Sequence, residues 1–153
     1  FRRKKDGTIV AKLGGEEREL LASLAGQVSD LLSEPVEGDP AITRLLPNAY
    51  PHDDEAAAEF RRFTESELVD RKLHNAATVV ASLEGWPVVE LDPPTALAWL
   101  RALTDIRIAL AARLGIVLDE DDGDVSTDEG AMMRDVYDWL GYLQGALVEA
   151  VDR

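Results

Sequence analysis

The chain has 153 residues, 46% of them apolar and 30% charged, with 30 acidic residues against 16 basic ones and a formal charge of −14. That length suits one domain, able to bury about 70% of its unfolded surface, and that charge repels a phosphate backbone, which disfavours direct nucleic-acid binding. With no cysteine, disulfides, thiolate metal sites and cysteine nucleophiles are excluded, as suits a cytoplasmic protein. No secretory signal and no apolar run of about eighteen residues is present, so neither export nor a membrane span is expected.

Residues 1–13 read as a β-hairpin. FRRKK and TIVAKL flank Asp6-Gly7, a dipeptide suited to the positive φ angles of a two-residue I′ turn. Arg2, Arg3, Lys4, Lys5 and Lys12 make this the basic end of the molecule, which also suits an edge strand protected from aggregation by charge. Residues 14–84 read as helices. After Gly14-Gly15 the first long helix runs from about Glu16 to Ser33, with Glu17, Leu21, Leu24, Val28 and Leu31 at spacings of four, three, four and three. Asp39-Pro40 caps a short helix through Leu46.

The segment from Arg44 to Thr64 (RLLPNAYPHDDEAAAEFRRFT) is dense in punctuation. Pro47 stops one helix, Tyr50-Pro51 holds the chain extended, and Asp53 to Glu55 start another helix. Thr64 with Glu67 forms a capping box, which predicts a fresh helix there rather than one continuous rod, with Val69, Leu73, Ala76, Val80 and Leu83 as its apolar stripe. Residues 86–91 (WPVVEL) form a later strand that pairs with the hairpin, and Pro87 restricts it to an edge or a strand start.

Residues 92–152 give two long helices. Asp92-Pro93 caps the first, Trp99, Leu100, Leu103, Ile106, Leu110 and Leu114 mark its core face, and Gly115 closes it. An acidic loop at 119–129 with seven carboxylates follows. Met133, Val136, Leu140, Leu143, Leu147 and Val151 line the seam of the last helix, while Trp139, Tyr142 and Ala146 form a second apolar face. That doubled apolarity, with Gly141 and Gly145, predicts the central helix of the bundle; the same face would also serve a homodimer. The expected fold is mainly α (α+β): about five helices with a small antiparallel sheet, in a single domain over residues 1–153.

Catalytic signatures are not found. The acidic loop fails as a calcium loop because its first ligand position falls on Leu118. His52 and His74 lie in different elements, and no Gly-rich phosphate loop or nucleophile elbow occurs. No enzyme activity, cofactor or metal is therefore expected. Arg107 lies between Ile106 and Ile108 on an apolar flank, so its charge needs a partner; Asp138 of the last helix is the expected one.

Residues 44–68 (RLLPNAYPHDDEAAAEFRRFTESEL), 103–116 (LTDIRIALAARLGI) and 136–147 (VYDWLGYLQGAL) resemble three blocks of an actinobacterial family built on a domain of unknown function. That family includes an oxidative-stress transcriptional regulator of actinomycetes, described as a cysteine-pair redox sensor acting with a stress sigma factor. The resemblance implies a cytoplasmic regulatory or adaptor protein. The cysteine switch does not carry over to a chain without cysteine. Tyr50, Arg61, Arg62, Phe63, Trp139 and Tyr142 are the expected contacts with a partner such as a sigma factor or other transcription machinery. The alternative is a small-molecule-binding or hydrolytic domain with its site near Arg107.

Overall fold

The computed structural model describes residues 1–46, 55–116 and 121–152, without the side chains of residues 55–58, 60 and 61. Its elements are β1 (Arg2–Arg3), β2 (Ile9–Ala11), α1 (Gly15–Ser33), α2 (Pro40–Leu45), α3 (Glu55–Ser82), β3 (Val89–Leu91), α4 (Pro93–Leu114) and α5 (Asp128–Asp152). The expected mainly helical fold with a small antiparallel sheet is the one observed.

Strand β2 is central, pairing with β1 on one side and β3 on the other, both antiparallel. Ile9 faces Leu91 and Ala11 faces Val89, and these four residues are buried on one side of the sheet. The hairpin is tighter in chemistry than Asp6-Gly7 suggests. Gly7 alone takes positive φ, at 91°, and its N–H donates to the Lys4 carbonyl at 3.0 Å. Asp6 keeps negative φ because its carboxylate accepts the Thr8 N–H at 2.9 Å. A three-residue loop closed by glycine therefore replaces the two-residue I′ turn.

Helix boundaries follow the caps. Asp39 accepts from the Ala41 N–H at 2.9 Å and Asp92 from the Thr95 N–H at 2.9 Å, each before a proline whose missing N–H costs the first turn nothing. Gly115, at φ 75°, closes α4. The Asp39 carboxylate also takes both Nη atoms of Arg113, at 2.7 and 3.0 Å, tying the start of α2 to the end of α4. These hydrogen bonds, Arg113 first and Ala41 second, hold the Asp39 carboxyl below its ordinary range.

Two expectations are corrected. Helix α3 is one rod from Glu55 to Ser82, so Thr64 starts no new helix. A capping box needs non-helical backbone at its first residue, and the helical hydrogen-bond ladder runs through this one unbroken. The centre of the bundle is α4 rather than α5. Helix α4 packs on α1, α2, α3 and α5, with Trp99, Leu103 and Ile106 at most 2% exposed, whereas α5 lies chiefly on α4 and the β1 edge.

The expected strand at 86–91 is shortened to Val89–Leu91 for a physical reason. Arg18 of α1 takes the backbone carbonyls of the preceding segment, so they are not offered to β2. Its Nη1 donates to Leu83 O at 2.7 Å and Gly85 O at 2.5 Å, its Nη2 to Pro87 O at 3.3 Å, and its Nε to Leu13 O at 3.0 Å. The guanidinium also sits 5.1 Å from the ring centroid of Trp86, a contact with the ring face that suits a cation. One side chain thus joins α1, the end of β2, the end of α3 and the approach to β3. Arg18→Met is expected to lower unfolding free energy by about 2–3 kcal/mol, since several carbonyls lose a charged donor. Arg18→Lys should recover only part, because an ammonium cannot span the four acceptors. An unfolding free energy for Arg18→Met, from urea denaturation, within about 0.5 kcal/mol of the parent would show that the clamp contributes little.

Candidate functional site

The residues expected to meet a partner fall into two groups on different helices. Arg62 and Phe63 lie in the first half of α3, where Arg62 is exposed and Phe63 is 63% exposed. Arg61 belongs to the same turn, but its side chain lies outside the described residues, as does all of Tyr50. Tyr142 on α5 is 72% exposed, while Trp139 is half-buried against the core. No hydrogen bond, ion pair or ring contact joins the two groups, and α3 and α5 share no substantial packing among the described residues. The structure therefore does not gather the described ones into one patch.

On α5, Met132 and Tyr142 stand exposed on the side that carries Trp139, whereas Val148 and Val151, also exposed, lie on another side. Met132, Trp139 and Tyr142 are separated by seven and three residues, which places them along one side of the helix. Met132 is 68% exposed, so of the two methionines only Met133 packs inward, against Ala111, Leu114 and Ile116.

The expected Arg107–Asp138 ion pair is replaced by other contacts. Asp138 accepts from Arg134 Nε at 3.1 Å, one turn away on its own helix. Arg107 lies 4.5 Å from the ring centroid of Tyr137, donates from Nη1 to Gln144 Oε1 at 3.1 Å, and keeps its Nε buried with no partner. The reason is helical register. Tyr137, Gly141 and Gln144 recur at four and three residues and face α4 together, whereas Asp138 is turned about 100° from Tyr137. Gly141 completes the berth: a Cβ there would come within 3.1 Å of Arg107 Nη2. Its small size admits an arginine rather than a second helix.

Sequence reasoning missed the buried ion pair. Asp105 is 3% exposed, and Lys72 Nζ of α3 lies 2.6 Å from its Oδ1. A signal was present: Asp105 follows Ala102 by three residues and precedes Ala109 by four, within a face of small residues that the structure buries. Alanines register weakly in an apolar count, so that face looked neutral. Burial pushes the Asp105 carboxyl above its ordinary range, and the hydrogen bond from Lys72 opposes the shift. Around the pair, Leu68, Arg71, Asn75, Arg101 and Thr104 line a cleft of about 470 Å³ between α3 and α4.

Elsewhere the acidic loop is anchored at its described end. Arg134 Nη1 donates to Asp121 O at 2.8 Å, and Asp124 N donates to Leu114 O at 2.8 Å. The Asp124 carboxylate accepts from Ser126 Oγ at 2.6 Å and is held below its ordinary range, chiefly by that hydroxyl. No cluster of three or more potential metal ligands occurs among the described residues. None of their helices is long and apolar enough to cross a membrane.

The sequence profile of a domain of unknown function, DUF2017, matches residues 1–151. The putative oxidative stress regulator AosR of Mycobacterium leprae is 34% identical over 127 residues, which is 74% of this chain and 58% of that protein. The oxidative stress regulator AosR of Mycobacterium tuberculosis is 30% identical over 125 residues, 72% of this chain and 57% of the relative. The chain thus spans a little over half the length of these relatives. No solved structure gives a significant match.

The Lys72–Asp105 pair makes a pH-dependent prediction. Lys72→Met leaves a buried carboxylate without its cation and is expected to cost on the order of 3 kcal/mol at neutral pH. With the folded-state pKa of Asp105 raised further, the unfolded chain releases its proton first as pH rises, so stability falls between the unfolded and folded values. The deficit of the variant should accordingly shrink on acidification towards pH 4, measured by chemical denaturation across that range. A deficit that stays constant from neutral pH to pH 4 would show that Asp105 is not the group left unpaired.

Proposed function

The chain belongs to the DUF2017 family, and on that premise we propose that it is a single-domain, non-enzymatic regulatory protein of the cytoplasm, linked to oxidative stress. It acts through a protein partner such as a sigma factor or another part of the transcription machinery. Relatives named oxidative stress regulators support the regulatory half of this reading. The observation that carries the partner half is the strip on α5, where Met132 and Tyr142 stand in solvent beside the half-buried Trp139. Large apolar side chains grouped on one helix face mark contact surfaces more often than scattered ones do. A charge of −14 would speed association with a basic partner by electrostatic steering.

The reading includes no thiol switch, because these 153 residues contain no cysteine. Either these residues sense nothing directly, or an oxidative signal reaches them through the partner. The competing reading, a small-molecule or hydrolytic site at Arg107, has less support. That guanidinium is covered by Tyr137 and Gln144 and lies close over Gly141.

Affinity purification from an actinobacterial host, under resting and oxidising conditions, tests the proposal. The parent chain should recover a transcription component, and Tyr142→Glu should reduce that recovery about tenfold or more, as expected for a central contact residue. Loss with Phe63→Glu but not with Tyr142→Glu would move the contact to α3. Recovery of no transcription component even at low salt would sink the reading. A homodimer through the same strip would show as a doubled mass by light scattering, abolished by Tyr142→Glu.

A further inference from the structure

The cleft between α3 and α4 concentrates positive charge in a chain that is otherwise strongly acidic. Arg71 and Lys72 enter it from α3 and Arg101 from α4, against a single carboxylate, Asp105. Lys72 already neutralises that carboxylate at 2.6 Å. The two guanidinium groups are thus surplus, and both are exposed.

Among the described residues, neither guanidinium has a partner. No hydrogen bond or ion pair engages Arg71 or Arg101, although acidic residues outnumber basic ones by 30 to 16. Glu67 lies one turn before Arg71 and Asp105 one turn after Arg101, at the spacing that favours helix ion pairs, yet neither pair forms. Asn75, half-buried on the same wall, also has no hydrogen-bond partner for its amide among the described residues. Thr104 differs. Its hydroxyl donates to Leu100 O at 3.0 Å and accepts from Gln144 Nε2, so it is a wall of the cleft and not a free donor.

The donors left over are two planar guanidinium forks, the remaining N–H groups of Lys72 and the Asn75 amide. Forks of this kind match the paired oxygens of a phosphate or carboxylate. The volume, about 470 Å³, falls in the range of small-ligand sites. We propose that this cleft is a binding site for a small molecule carrying a doubly negative group, a phosphate ester or a dicarboxylate, with Arg71 and Arg101 as its clamp. Lys72 holds Asp105 neutralised beneath the ligand, so the anion meets no bare carboxylate. The site is independent of the α5 strip, and its test does not involve a protein partner.

Titration of the chain with inorganic phosphate, malonate and, at matched ionic strength, chloride is read by backbone amide NMR shifts. Saturable shifts centred on residues 68–75 and 101–105 are expected with phosphate, malonate or both, and not with chloride; which anion works names the ligand class. The double variant Arg71→Gln/Arg101→Gln should weaken binding at least tenfold. Its melting temperature should stay near that of the parent, because neither arginine bonds to the fold. Shifts that match those of chloride, or that persist in the double variant, would overturn the assignment. So would silence with both anions, the result expected if only a macromolecule occupies the cleft.

Discussion

The fold depends on α4 being buried on nearly every side. Four other helices pack on it, and what lets them approach is its run of small residues: Ala96, Ala98, Ala102, Ala109 and Ala111 are all buried. Large side chains fill the remaining directions. Trp99 is fully enclosed and meets the Phe1 ring edge-on at 6.3 Å, so Phe1 packs against the core. On its buried faces such a helix can carry a charge only where a partner reaches it. Asp105 is the one buried charged residue described, and Lys72 reaches it from α3. The pair therefore fixes how α3 lies on α4, with a penalty for slippage that apolar contacts alone would not impose.

The same enclosure explains what could be read from the sequence. Features set by local chemistry were legible. Asp39-Pro40, Asp92-Pro93 and Gly115 mark helix ends because their hydrogen bonds are made within a turn, and all three ends lie where the caps predict. Features set by the rest of the molecule were not. Large apolar residues on two faces of α5 point to it as the central helix, whereas α4 is buried largely through alanine. Thr64 and Glu67 have the spacing of a cap, but spacing cannot say whether the backbone before them breaks. Shortening of the last strand needed Arg18, which lies 65 to 69 residues from the carbonyls it takes.

The candidate sites divide in the same way. Phe63 and Tyr142 are expected contact residues, yet the doubled apolarity of α5 points Tyr142 inward; the structure leaves both exposed. The pairing of Arg107 was not legible, since choosing between Tyr137, Asp138 and Gly141 requires the rotation of α5 about its axis. The α3–α4 cleft was invisible for a related reason. Arg71, Lys72 and Arg101 are ordinary surface cations in the sequence, and only the crossing of two helices brings them to one place. The stretch from Arg44 to Thr64, which carries the strongest family resemblance, falls partly on residues 47–54, outside those described.

Gln144 shows how polar groups set that rotation. Its oxygen accepts from Arg107 at 3.1 Å, and its nitrogen donates to the Thr104 hydroxyl and, at 3.4 Å, to Leu100 O. The amide has one workable orientation, because the reverse would set its NH2 against a guanidinium that can only donate. An apolar seam tolerates small rotations, since leucine against leucine is nearly as favourable a few degrees away. Three directional bonds from one side chain do not. The register of α5 on α4 is thus fixed by Gln144, with Gly141 leaving room for the arginine it holds. The same residue touches the wall of the cationic cleft through Thr104, so the seam of α5 that faces α4 and the cleft between α3 and α4 share one hydrogen-bonded element.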